Sequence, residues 1–244
     1  MPFTPAHPAF VLPFLKIKKE YVSATSLVVG SIIPDFEYFF NMSVKGQHSH
    51  SLAGLFYFDI PLSVVIAILF HEVVKKNFID NLPAFFQRRL NPLRKLDFIP
   101  YVKQNPWALL LAVAFGAASH LLWDSFTHRD GFFVNQLSFY DSVFPFDGVQ
   151  YPMYYALQHI STWAGLFAIG VYFIFMKQDP TIKTCKPHIG YWSAVFLISA
   201  IILFARFSLG RATLDFGNFV VSSITAACCS FLVAGKIRFS QTTR

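Results

Sequence analysis

Five apolar runs divide the chain, at residues 52–74, 106–126, 156–176, 190–209 and 214–234. An α-helix rises 1.5 Å per residue, so about twenty apolar residues cover the hydrocarbon core of a bilayer. Each run therefore predicts one membrane span. Two shorter runs, 9–15 and 22–33, precede them and are separated by Lys16-Ile17-Lys18-Lys19-Glu20. Neither can cross alone. The second should stop at Pro34, because the residue before a proline is pushed out of the α region. Residues 1–40 thus predict a helical hairpin that returns Asp35 to the side of His7. Between the first two spans, Phe85, Phe86, Leu90, Leu93 and Leu96 recur at near-helical spacing among basic residues. That pattern predicts a helix lying in the membrane plane and interrupted at Pro92. Residues 129–155 read as a long aromatic loop. The expected fold is all-α: a single integral-membrane domain over 1–244, a polytopic transmembrane helical bundle of about five spans behind the N-terminal hairpin.

Composition agrees with the pattern. Hydrophobic residues make up 55%, charged residues 14%, and there are 30 Phe, which excludes an ordinary soluble domain. The net charge of +7 does not form a nucleic-acid surface, because the basic residues collect between apolar runs and suit anionic lipid. Cys185, Cys228 and Cys229 make neither a metal-spaced set nor a disulfide framework. The N-terminus lacks a signal-peptide pattern, since its lysines follow the first apolar segment. Loops 75–105 and 177–189, the tail and Lys16–Lys19 hold most of the Lys and Arg, whereas Lys45, Arg129 and Arg211 stand opposite. The positive-inside rule then makes 77–105 a basic cytoplasmic loop and 129–155 an outer loop. It gathers His7, Asp35, His48, His50, Asp124 and His128 at the non-cytoplasmic face, with His120 about one turn deeper.

Those residues carry the candidate chemistry. His120, Asp124 and His128 are spaced by four and would form one stripe on a continuous helix. Asp and His inside a membrane read first as functional. Imidazole and carboxylate without thiolate suit a divalent cation, zinc first, with manganese or iron open. The expected ligands are His7, Asp35, His48, His50, His120 and Asp124. This exceeds the three of a mononuclear catalytic zinc, so either two cations bind or some members orient ligands and move protons. Glu37 and His128 are the expected proton carriers. An ion pair from Arg206 to Asp59 or Asp215 is the favoured reading of that residue, and the functional one is a phosphate clamp formed with Arg129 or Arg211. His159 sits one turn into a span and is expected to support a ligand. His71, Glu72 and His188 receive no role. No phosphate-binding glycine loop, GxSxG or HExxH occurs.

The opening Met1-Pro2-Phe3-Thr4-Pro5-Ala6-His7-Pro8, the segment Gly30-Ser31-Ile32-Ile33-Pro34-Asp35-Phe36-Glu37-Tyr38, His48-Ser49-His50-Ser51-Leu52, and Ser119-His120-Leu121-Leu122-Trp123-Asp124-Ser125-Phe126-Thr127-His128 resemble a bacterial membrane family of unknown function. More distantly they resemble the LexA-inducible inner-membrane metal-dependent hydrolases, and more remotely the zinc-dependent phospholipase C fold. The hydrolases share an early His, a Pro-Asp-x-Asp, a Thr-His-Ser and a Ser-His-x-x-x-Asp in this order. That resemblance implies His7, Asp35, His50, His120 and Asp124 as metal-site residues. Glu37 and Ser49 stand where the hydrolases have Asp and Thr, which puts Glu37 in doubt as a ligand. The expectation is a metal-dependent hydrolase of the bacterial inner membrane. It would act at the outer bilayer interface on a lipid or lipid-linked ester or phosphoester. The alternative is a non-catalytic metal-ion or haem protein. Oligomeric state is left open.

Overall fold

The computed structural model describes residues 3–209 and 213–239. It is helical apart from one two-stranded hairpin. Five helices are long and apolar enough to cross a membrane: α4 (Leu52–Asp80), α7 (Pro106–Thr127), α8 (Met153–Phe175), α9 (Ile189–Leu209) and α10 (Phe216–Lys236). All five expected spans are present. The first runs six residues past its expected end, because Lys75 does not stop it: the buried Lys75 amine donates to the Leu96 carbonyl. Contacts divide the chain into two compact units, Met1–Asp35, His48–Val64 and Asn105–Phe175 forming one, Phe36–Gln47, Val65–Gln104 and Met176–Arg244 the other.

The first unit begins with a 3₁₀ turn at Thr4–Ala6, α1 (Pro8–Val11) and a second 3₁₀ turn at Leu12–Lys16. The chain then turns back into α2 (Ala24–Gly30), whose first turn is capped by Ser23 accepting from the Ser26 amide. The expected hairpin is there, in shorter pieces than a pair of continuous helices. Val11, Leu27 and Ala112 are buried together, with Phe14, Leu15 and Val22 against them. α2 lies directly on α7 because two glycines permit it. A Cβ on Gly30 would stand 2.5 Å from the Val113 carbonyl, and one on Gly116 would stand 2.5 Å from that of Leu27. No side chain fits in either place.

The aromatic loop differs from its expectation. Strands β1 (Val143–Phe146) and β2 (Val149–Pro152) pair antiparallel across Asp147-Gly148. Both turn residues have positive φ, 51° and 74°, the left-handed backbone that a two-residue hairpin turn requires. Asp-Gly between two short apolar runs is a strong hairpin signal, and it was there to be read. α8 starts at Met153, straight from β2.

In the second unit, α3 (Phe36–Asn41) is followed by a loop closed by the Glu37 carboxylate, which accepts from the Gln47 amide at 2.6 Å. α5 (Ala84–Lys95) and α6 (Phe98–Gln104) form the basic segment. α5 runs through Pro92 instead of breaking there. A proline removes the N–H that would bond four residues back, and the Asp179 amide takes the freed Arg88 carbonyl at 3.0 Å. Ser222, Ala226, Ser230 and Ala234 form a buried stripe of small residues on α10, which allows close helix approach. The Gly235 backbone comes correspondingly close to the Val73 carbonyl. Arg206 donates to the Met42 carbonyl at 3.1 Å rather than pairing with an acid, and lines a cavity of about 510 Å³ with Lys45 and Asp215. Arg211, named with it from the sequence, lies outside the described residues.

Candidate metal centre

Every part of the centre belongs to the first unit. Asp35 ends the 3₁₀ turn Ile33–Asp35 that follows α2, and is wholly buried. Its Oδ2 accepts from the Thr4 hydroxyl, which leaves Oδ1 facing inwards. His120 and Asp124 lie one turn apart on the buried face of α7. The glycine-permitted approach of α2 to α7 is what brings Asp35 to them. His50 arrives from the residues before α4 with φ of +59°. A non-glycine residue there is held against a cost of roughly 1–2 kcal/mol. Ser51 follows immediately and caps α4, accepting from the Gly54 amide at 2.9 Å.

Four donor atoms close a ring that alternates nitrogen and oxygen. His50 Nε2 is 3.3 Å from Asp35 Oδ1, which is 3.6 Å from His120 Nε2. That nitrogen is 3.2 Å from Asp124 Oδ2, which is 3.5 Å from His50 Nε2. Neighbouring ligands of a tetrahedral cation bound at 2.0–2.1 Å are separated by about 3.3–3.4 Å. The edges of the ring have that length, and two overlapping sets, His50, His120 and Asp124, and His7, Asp35 and His120, each offer atoms that lie within 4.8 Å of one another.

The His120 nitrogen is presented correctly for ligation, and the Ser49 hydroxyl can hold His50 in the same way by accepting. His120 Nδ1 is 2.8 Å from the Ser31 carbonyl, and His50 Nδ1 is 3.0 Å from Ser49 Oγ. A protein acceptor on one ring nitrogen leaves the lone pair of the other for a cation. Electrostatics point the same way. Asp35 and Asp124 are buried carboxylates, and their ion-pair partners among the described residues are histidines only. Two buried negative charges need compensation. A divalent cation would supply it, and so would protons on the histidines. Against burial, which lowers it, the Asp124 and Asp35 carboxylates hold His50 up at about 9. Burial, then the neighbouring His120, pushes His7 down to about 3.

His7 and His128 complete the surroundings. The His7 ring stacks on that of His120, centroids 3.7 Å apart and planes within 13°. Its Nε2 lies 3.7 Å from Asp124 Oδ1. His128 is not the third member of a helical stripe, because α7 ends at Thr127 and His128 is extended. Its Nδ1 nevertheless turns back to within 3.1 Å of the Asp124 carbonyl and 3.4 Å of Asp124 Oδ1. The side chains of His7, Asp35 and His120 are at most 1% exposed, whereas His50 and His128 are 21% and 28% exposed. The centre therefore lies nearest the surface at the His50 and His128 rings, whose Nε2 atoms are themselves buried.

Of the six expected ligands, the structure gathers five. His48 points elsewhere: it is exposed, 3.0 Å from the Tyr57 hydroxyl, with its ring stacked on Phe58. Glu37 is engaged with the Gln47 amide. Arg129 is exposed in the turn after α7, and His159 is exposed against Tyr155. Two contributors carried no sequence signal: the Thr4 hydroxyl and the Ser31 carbonyl act on residues 31 and 89 positions away. Trp123 tilts against His7, ring centroids 5.4 Å apart, and donates to the Ser161 hydroxyl.

The fold and the site define an all-helical protein of membrane type with a buried His/Asp cluster suited to a cation. Over residues 1–236 the chain matches the model of a domain of unknown function, DUF4184, and belongs to that family. No curated protein and no solved structure is similar enough to match it.

Proposed function

We propose that the protein is a membrane-bound metal-dependent hydrolase. The observation that supports this best is the ring of His50, Asp35, His120 and Asp124 donors at 3.2–3.6 Å. Zinc is the first candidate for a set of imidazole and carboxylate without thiolate, with Mn²⁺ or Fe²⁺ as substitutes. A cation held there would polarise a carbonyl or phosphoryl oxygen and acidify water. His128 is the proton acceptor. Its Nδ1 faces a carbonyl and so carries the proton, which leaves Nε2 as the base at the end nearest the surface.

The substrate class we infer is a lipid or lipid-linked ester or phosphoester, met at the non-cytoplasmic face of the bacterial inner membrane. Five helices long and apolar enough to cross a membrane support a centre close to a bilayer, and the loop beyond α7 exposes Phe132, Phe139, Val143, Phe144 and Phe146. Apolar and aromatic groups of this kind favour the interfacial layer. Arg129 stands one residue beyond His128 and is the nearest cation in sequence for a phosphate. Haem is disfavoured, because the stacked rings of His7 and His120 leave no slot for a macrocycle between them.

The test is metal content and turnover together. Purified full-length protein should carry tightly bound divalent cation and release a soluble head group from phospholipid vesicles only when loaded. The His120→Ala, Asp124→Ala double variant should lose both. Wild-type metal content in that variant would reduce the cluster to a polar helix end, and full loading without turnover would make the protein a binder.

A further inference from the structure

The ring uses one oxygen of Asp124. The other, Oδ1, is buried and makes no hydrogen bond, and the same holds for both ring nitrogens of His7. His7 is 1% exposed, and an imidazole buried with neither nitrogen satisfied is costly. The ring of four, even when filled, does not relieve it.

The stacking of His7 on His120 gives these atoms a direction. Two nearly parallel imidazoles present their Nε2 atoms to the two oxygens of one carboxylate: His120 to Oδ2 at 3.2 Å, His7 to Oδ1 at 3.7 Å. A cation beside each nitrogen would be bridged by Asp124, on two nearly parallel imidazoles whose ring centroids are 3.7 Å apart. Cations in two-metal hydrolytic sites are about 3.5–4 Å apart. The ring stack is on the scale of that separation.

We propose that the centre takes a second divalent cation, held by His7 Nε2 and Asp124 Oδ1 and bridged by Asp124 to the one in the ring. This rests on the hydrolase reading for the first cation. The His128 nitrogen nearest Asp124 Oδ1 is Nδ1, at 3.4 Å, and its proton is committed to the Asp124 carbonyl, so that atom is a neighbour and not a ligand of the second cation. With two protein ligands and the rest water, the second cation exchanges more easily than the first. A hard, water-retaining ion such as Mn²⁺ or Mg²⁺ suits it. The second cation, held largely by water, would add positions for substrate oxygen beside the one that the first cation offers.

Full-length protein in detergent, titrated with Mn²⁺, provides the test. Bound metal should rise to about two per chain, in a tight and a weak phase. The doubly loaded form should show the broadened spectrum of a spin-coupled Mn²⁺ pair in electron paramagnetic resonance. His7→Ala leaves the ring intact and should keep the tight phase and lose the weak one, together with the coupling. One cation per chain at saturation in the wild type would overturn the second position and leave the first standing. So would a coupled pair that survives His7→Ala. No bound cation at all would overturn both readings. The wild-type spectrum needs no variant, so a His7→Ala protein that fails to fold does not spoil the test.

Discussion

His120 Nδ1 lies 2.8 Å from the Ser31 carbonyl oxygen. A carbonyl can only accept, so this nitrogen carries the proton and Nε2 keeps the lone pair that faces Asp35 and Asp124. The backbone at the end of α2 thus fixes the tautomer of a side chain on α7. The helix packing and the chemistry of the centre are one arrangement.

His120→Asn separates the two roles. The Asn amide can take over the hydrogen bond to Ser31 but offers nothing at the Nε2 position. Metal affinity should fall by at least about 10- to 100-fold, the range lost when even supporting residues are removed, while the melting temperature changes little. Calorimetric metal titration beside a thermal melt reads both. Unchanged affinity would make His120 a packing residue.

Thr4→Val keeps the shape of the side chain and removes the hydroxyl that donates to the buried Asp35 Oδ2. Leaving a buried acceptor unsatisfied costs about 1–3 kcal/mol. The melting temperature should drop accordingly, and cation affinity should weaken roughly tenfold as Asp35 loses its orientation. Thr4→Ser should restore both. A Val variant that melts and binds like the wild type would detach Thr4 from the centre.

How far the sequence was legible follows from the range of each interaction. The five spans were readable because a bilayer imposes a length and a polarity on every segment that crosses it. His120 and Asp124 were nameable because imidazole and carboxylate are scarce in apolar runs, His7, Asp35 and His50 because the charge asymmetry gathers them at the same face, and a resemblance singled out the same five. His48 and His50 are equivalent by spacing, and only the positive φ at His50 separates the one turned inwards from the one resting on Phe58. Pro92 read as a break because its remedy, the Asp179 amide, comes from 87 residues further along. The Thr4 and Ser31 contacts are long-range too. The β-hairpin was a different omission, since Asp147-Gly148 states its turn locally.

Gly116→Ala should injure the centre from a distance. The new methyl would meet the Leu27 carbonyl at 2.5 Å and the Ser31 amide at 2.7 Å, both backbone, so α2 must move away from α7. Asp35 would move with it. Gly170→Ala is the control, because its Cβ would have nothing within 4 Å, and replacing a helical glycine there should be neutral or stabilise by up to about 1 kcal/mol. The expected result is lost metal and a lower melting temperature for position 116 only. Equal behaviour of the two variants would mean that helix approach does not set the centre.

The end of the centre nearest the surface, at His128, and the β1–β2 hairpin both follow the C-terminal end of α7 within twenty-five residues, so labelling the hairpin loop reports on the end of α7 that carries the centre. The basic segment 77–105 precedes the N-terminal end of the same helix. If α7 crosses the membrane, the two segments are on opposite sides, and the concentration of Lys and Arg in 77–105 puts that one in the cytoplasm. A single cysteine at exposed Asp141 or exposed Arg88, in a chain with Cys185, Cys228 and Cys229 replaced by Ala, distinguishes the sides. Asp141→Cys should react with a membrane-impermeant maleimide on intact cells, and Arg88→Cys only after lysis. Labelling of Arg88→Cys alone on intact cells would invert the topology and put the centre at the cytoplasmic face. Labelling of both would mean that α7 does not cross, and the lipid reading would lose its bilayer geometry.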